Sequence, residues 1–182
     1  MTETNRPTIK GLFVNSHIEA LRKAKGDEAV LELEKQWGKP IKFQSFQNVP
    51  VKDEVRIIEL ALQILKEGKI PPEDLEYEAG RFHFYNFSNT SYGKIILSQY
   101  KNKFRKAMLH ATQIAGYVFR GVKFTSFDFG PKVLKVVMEN ADYPVDHFKG
   151  FFQEWMEHAG LKGEIKAKEV SRGKYEYLAM WE

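Results

Sequence analysis

The sequence predicts an α+β domain: an N-terminal helical layer of five to six helices packed on a small four-stranded antiparallel sheet, with a helix between the sheet's two hairpins. Two observations carry this. Up to about Phe119 the apolar residues recur every three or four positions, the spacing of a helix with one buried face, and beyond Lys123 the period drops to two. Glycine and proline punctuate nearly every boundary between the segments. Helices gathered at one end of a chain and paired strands at the other define the α+β class.

The elements follow in order. A helix from about Lys10 to Lys25 is stopped by Gly26, and Asp27 caps a second, Glu28 to Trp37, with Gly38 just past its end. Ile41 to Pro50 reads as a connection. In Val51 to Glu67 the residues Val51, Val55, Ile58, Leu62 and Leu65 form one stripe, and Ile57, Ala61 and Ile64 widen it enough to pack on two sides. Pro71 and Pro72 open a helix running to about Phe87, with Glu73 and Asp74 in the first turn where the helix dipole favours negative charge. A short helix, Tyr92 to Tyr100, precedes a longer one from Asn102 to Phe119. Strands at Lys123–Phe129 and Lys132–Glu139 flank a Gly130-Pro131 turn. A helix from Pro144 to Ala159 carries the apolar line Val145, Phe148, Phe152, Trp155 and Ala159. Strands at Glu164–Val170 and Lys174–Trp181 close the chain. Residues 1–8 are expected to form a flexible tail, and 9–182 a single domain.

The chain of 182 residues is long enough for one substantial core. It has no cysteine, which removes disulfides and thiolate chemistry and suits a reducing compartment. Met1 to Lys10 has no apolar core of a secretory signal, and no run approaches the roughly 18 apolar residues that span a bilayer. A cytoplasmic protein without a membrane span is therefore expected. The net charge of +4 comes from interspersed charges of both signs, which gives no concentrated basic patch for nucleic acid.

Sequence-local chemistry is sparse. Histidines at 17, 83, 110, 147 and 158 include no pair at i, i+4, and no HExxH occurs, so no metal site is expected from spacing. His147, Glu154 and His158 share one helix flank but spread over roughly 16 Å of helical rise, which reads as solvated side chains beside a core stripe. Phosphate-binding glycine loops and nucleophile elbows are absent. The run Gly80-Arg81-Phe82-His83-Phe84-Tyr85-Asn86-Phe87 echoes an RNA-stacking strand, but its first two residues are reversed and His83 stands where a small residue is needed. Neither catalysis nor nucleic-acid binding is expected, and no reactive group is expected where helices and sheet meet.

Ile9-Lys10-Gly11-Leu12-Phe13-Val14, Glu78-Ala79-Gly80-Arg81-Phe82, Ser91-Tyr92-Gly93-Lys94-Ile95, Tyr143-Pro144-Val145-Asp146-His147-Phe148-Lys149-Gly150 and the closing Met180-Trp181 together resemble an uncharacterised family expanded in myxobacteria and related bacteria. That family is similar in layout to the superfamily of heme nitric-oxide sensor domains (H-NOX), vinyl-reductase-type ligand domains and TRAPP trafficking subunits. The resemblance spans about Ile9 to Trp181 and implies helices against a four-stranded sheet, with a pocket or groove between. It also places Ala115 where heme sensors carry the proximal histidine, and Leu134 to Asn140 lacks their Tyr-x-Ser-x-Arg propionate motif. No heme and no other cofactor is expected.

Trp155, Trp181, Tyr175, Tyr177 and the Phe82–Phe87 run exceed what a small sheet needs to cover, which points to a non-enzymatic signalling or adaptor domain working through protein contact, a homodimer included. The alternative is a sensor that binds a small apolar ligand between helices and sheet. Its predicted wall is Phe82, Phe104, Met108, Phe148 and Phe152, all on inward stripes.

Overall fold

Apolar stripes and glycine stops set the first half of the molecule; the computed structural model describes residues 6–100 and 103–182 of the chain. Helix α1 (Gly11–Lys25) buries Phe13, Val14, Ile18 and Leu21, and the backbone N–H of Gly26 closes it on Arg22. Helix α2 (Asp27–Trp37) ends on left-handed Gly38, φ 83°. Helix α3 (Val51–Leu65) buries residues around most of its circumference, as its wide stripe requires, and packs against α1 and α2. After a 3-10 turn at Pro72–Asp74, α4 (Leu75–Asn89) runs through the whole aromatic segment. Residues 80–87 are thus helical, and the echo of an RNA-stacking strand has no strand beneath it. The Thr90 hydroxyl accepts from Gly93 N–H at 2.9 Å and caps α5 (Ser91–Gln99).

A small antiparallel sheet, absent from the sequence expectation, clasps this layer. Strand β1 (Thr8–Lys10) pairs with β2 (Asn48–Pro50) on one side and β3 (Phe119–Arg120) on the other. The expected tail therefore ends sooner: Thr8 is a paired strand residue, Pro7 is buried, and Met1 to Asn5 lie outside the described residues. The connection between α2 and β2 is irregular but engaged. The carbonyls of Gln47 and Ser45 accept from Gly11 and Leu12 at 2.8 and 2.9 Å, satisfying the first N–H groups of α1, which has no side-chain cap.

The helix expected from Asn102 to Phe119 is two pieces, α6 (Phe104–Leu109) and α7 (Ala111–Val118), broken at His110; Asn102 itself lies outside the described residues. Side chains explain the break. The Ser126 hydroxyl donates to the Met108 carbonyl at 2.6 Å, an acceptor that a continuous helix would use itself, and the Thr112 hydroxyl ties the start of α7 to the Phe124 carbonyl at 2.5 Å.

Strands β4 (Lys123–Asp128), β5 (Val133–Glu139), β6 (Gly163–Ser171) and β7 (Lys174–Trp181) form the main antiparallel sheet in the order β4-β5-β7-β6. Helix α8 (Val145–His158) connects its two hairpins. Leu134, Val136, Met138, Tyr175, Tyr177 and Ala179 turn inward at period two, and α8 lies over them. The architecture is the α+β arrangement predicted from the sequence.

Helices α4 and α8 cross at unusually short range. A Cβ on Gly80 would lie 1.7 Å from the His147 carbonyl oxygen, and one on Gly150 would lie 2.0 Å from that of Tyr77. The two glycines thus open reciprocal notches for the opposing backbone. Arg81 ties the same pair from outside, to Glu154 at 2.6 Å and Glu157 at 2.8 Å. No helix among the described residues is long and apolar enough to cross a membrane.

Candidate functional site

Two features share His83 and lie where α4, α8 and the sheet converge. The first is an apolar cavity of about 40 Å³ between α4, α7, α8 and β4. Ala111, Ile114, Ala115 and Val118 line it from α7, Phe148, Phe151 and Phe152 from α8, and His83 is its only ionisable wall residue. Of the five predicted wall residues, Phe148 and Phe152 face this space. Phe104 and Met108 are buried elsewhere in the core, Phe104 edge-on to Trp155 and Trp181. Phe82 is half-buried and packs near His17, with ring centroids 6.3 Å apart.

The second feature is a buried polar cluster that spacing along the chain did not reveal. His17 of α1, Glu54 of α3, His83 and Asn86 of α4 and His147 of α8 are each at most 2% exposed, as is Tyr143 just before α8. His17 Nε2 lies 3.2 Å and His83 Nε2 3.6 Å from the same Glu54 oxygen, Oε1. The Tyr143 hydroxyl donates to the other, Oε2. Behind this inner ring, Asn86 Nδ2 lies 2.9 Å from His17 Nδ1, and His147 Nε2 lies 3.0 Å from His83 Nδ1. The close crossing of α4 and α8 brings the last two rings together, because Gly80 admits the very carbonyl of His147.

In one proton arrangement Asn86 donates to His17, and His17 and Tyr143 donate to Glu54, while His147 donates to His83, whose Nε2–H points at Glu54 from beyond hydrogen-bonding distance. Two buried atoms are then left without partners, Asn86 Oδ1 and His147 Nδ1. Burial holds the imidazoles neutral, lowering the pKa of His17 to about 3 and that of His83 to about 4. His147 is pushed well below the ordinary value by burial first and then by the other two rings. Burial also raises the Glu54 carboxyl, against the opposing effects of His83 and the Tyr143 hydrogen bond.

These positions correct two expectations. His147 is fully buried and not solvated, whereas His158 is exposed and Glu154 pairs with Arg81. Polar groups do converge beside the seam, where none was expected. The available signal was a polar residue on an apolar stripe, as with His17 between Val14 and Leu21; what the chain order hides is that four such stripes meet.

Heme does not fit these residues. Pockets for drug-sized ligands and cofactors run to roughly 300–1,000 Å³, far above the 40 Å³ here. Ala115 lines the cavity at the position the resemblance gave to the proximal histidine. His110 does not line it: its Nδ1 lies 2.8 Å from the Lys106 carbonyl and its ring packs on Tyr100.

The sequence matches a family described as "Protein of unknown function (DUF2378)" over residues 3–182. No curated protein matches it. Several solved structures are similar in fold. An oxygen-binding H-NOX domain related to soluble guanylate cyclases, in its oxygen complex, shares 15% identity at a TM-score of 0.67, covering 96% of this chain and 95% of that one. The unliganded Fe(II) H-NOX protein of K. algicida shares 12% at 0.64, covering 96% and 97%. A variant of T. tengcongensis H-NOX shares 16% at 0.62, covering 96% and 98%. At these identities the likeness establishes an H-NOX-like fold.

Proposed function

Taking as premise that the chain belongs to the DUF2378 family, we propose that it is a non-enzymatic sensor domain that takes a small apolar ligand between helices and sheet, without heme. The observation that carries this is the apolar cavity at the seam, about 40 Å³ and walled almost wholly by alanine, aliphatic and aromatic side chains. Such a space suits a guest of two or three heavy atoms, since one water-sized probe occupies roughly 10–15 Å³. An oxygen-binding domain among the similar structures supports the reading, although that protein's binding is its own. A binding role rather than turnover also agrees with the cluster, whose polar groups are too deeply buried to present a surface to a substrate.

The adaptor reading loses its motivation. Trp155, Tyr175, Tyr177, Phe84 and Phe87 are buried, and Trp181 and Phe82 are partly so, which leaves Tyr85 as the exposed member of that set. Most of the aromatic surplus packs in the core.

Xenon, which enters dry apolar cavities, is the direct probe. Xenon should shift the methyl resonances of Ile114 and Val118 in the wild-type chain, and Ala115→Leu, which fills the space, should abolish the shifts. Hemin should give no sharp Soret band with either protein. Unchanged methyl resonances under xenon, or shifts that survive Ala115→Leu, would overturn the cavity as the ligand site.

A further inference from the structure

The inner ring of the buried cluster has the form of a metal centre. We propose that His17, Glu54 and His83 hold one first-row divalent transition-metal ion, with His17 Nε2, Glu54 Oε1 and His83 Nε2 as its protein ligands. The three atoms lie at separations of 3.2 and 3.6 Å, with the remaining separation no more than 4.8 Å. A point equidistant from the corners of such a triangle is at most about 2.4 Å from each, and imidazole and carboxylate bonds to zinc run about 2.0–2.2 Å. Shifts of a few tenths of an ångström complete the coordination. Two neutral imidazoles and one carboxylate suit this class of ion over magnesium or calcium, which prefer all-oxygen sets.

The outer ring is arranged as metal-binding histidines require. A ligating imidazole must offer an unprotonated Nε2 and donate its Nδ1–H to an outer partner. His17 Nδ1 faces the amide of Asn86, whose Oδ1 is buried without a partner. Exchanging the amide's oxygen and nitrogen, a half-turn that leaves the side chain's shape unchanged, presents that oxygen to the His17 Nδ1–H. His83 Nδ1 faces His147 Nε2 as its acceptor, and His147 then carries its own proton on Nδ1, the other unpartnered atom. The Tyr143 hydroxyl orients the carboxylate through Oε2. With those small shifts and the turned amide, the same side chains serve a proton-filled and a cation-filled cluster. In the second, the positive charge that a buried carboxylate needs is supplied at bonding distance. The chain supplies three ligands to this set, one fewer than a closed four-ligand structural site.

The test uses the full chain, stripped with a chelator and titrated with Zn²⁺ and, for spectroscopy, Co²⁺. One equivalent of Zn²⁺ should bind and raise the unfolding midpoint. Co²⁺ should develop visible ligand-field bands, and X-ray absorption on the zinc form should show imidazole nitrogens near 2.0 Å. Glu54→Gln and His83→Gln should weaken binding by on the order of 100-fold or more, and Asn86→Ala by about 10- to 100-fold. His110→Ala and His158→Ala, remote from the cluster, should leave it unchanged. Should the cluster variants not fold, the wild-type stoichiometry and absorption spectrum still decide. Absence of stoichiometric Zn²⁺ binding by the wild-type chain, an all-oxygen coordination spectrum, or loss of binding in His110→Ala or His158→Ala would each refute the site.

Discussion

Tyr143 shows at the scale of one residue how tightly this interior is specified. Its ring packs against Phe148, Phe119 and His147, while its hydroxyl serves one oxygen of a carboxylate that has no solvent contact. Removing the hydroxyl leaves a buried acceptor short of a donor, which costs more than the roughly 1 kcal/mol of an average hydrogen bond. Tyr143→Phe should therefore lower unfolding stability by about 1–3 kcal/mol in urea titrations. Tyr177→Phe, which removes a 3.1 Å bond to the Val145 carbonyl, should cost about 1 kcal/mol or less. Equal losses for the two would show that Glu54 does not depend on its phenol. The polar cluster was half legible in the sequence. A histidine beside Val14 and Ile18, or a glutamate between Val51 and Val55, is an anomaly that periodicity exposes. Its meaning required tertiary pairing across 37 residues for His17 and Glu54 and 64 for His83 and His147, which no local spacing encodes.

Among the elements, the α4–α8 crossing does most to define the site. Gly80 and Gly150 sit in helix interiors, where glycine costs about 1 kcal/mol against alanine, and each is held there by an opposing backbone oxygen that a Cβ would strike. Gly80→Ala should separate the helices, destabilise the fold by about 1–3 kcal/mol through overpacking, and lengthen the His83–His147 contact. A Cβ on Gly116 in α7 would meet nothing within 4 Å, and the residue has no positive φ. Gly116→Ala should instead gain up to about 1 kcal/mol from helix propensity. Thermal unfolding of the pair gives opposite signs if the crossing is glycine-dependent, and like signs if it is not. Element types were read well where a stripe was long and bounded by glycine, as in α1, α3 and α8. They were read poorly where partners decide. Strands β1, β2 and β3 are two or three residues each, too short to show a period, and the break at His110 depends on the Ser126 and Thr112 hydroxyls bonding between helix and strand.

For the molecule as a whole, the buried histidines couple folding to acid. His17 and His83 are held neutral in the folded state, with values near 3 and 4, and His147 is lowered as well, while all three return to about 6.5 on unfolding. The unfolded chain therefore binds more protons below pH 6.5. Stability from these groups is complete above that point and drains as pH falls toward 4, at about 1.4 kcal/mol per pH unit for each histidine fully titrating. Glu54 acts in the opposite sense, because its folded value is raised: it favours the folded state most below about 4.5 and loses that contribution as pH climbs through the folded value. One carboxyl offsets only one of three imidazoles, so the balance is a net loss on acidification. Unfolding midpoints in urea, measured between pH 7.5 and 4.5 with metal removed, should fall steadily below pH 6.5, and His147→Phe should flatten the descent by about one proton. A midpoint that holds or climbs over that range would mean that the rings are charged in the folded state and that Glu54 is their counter-ion.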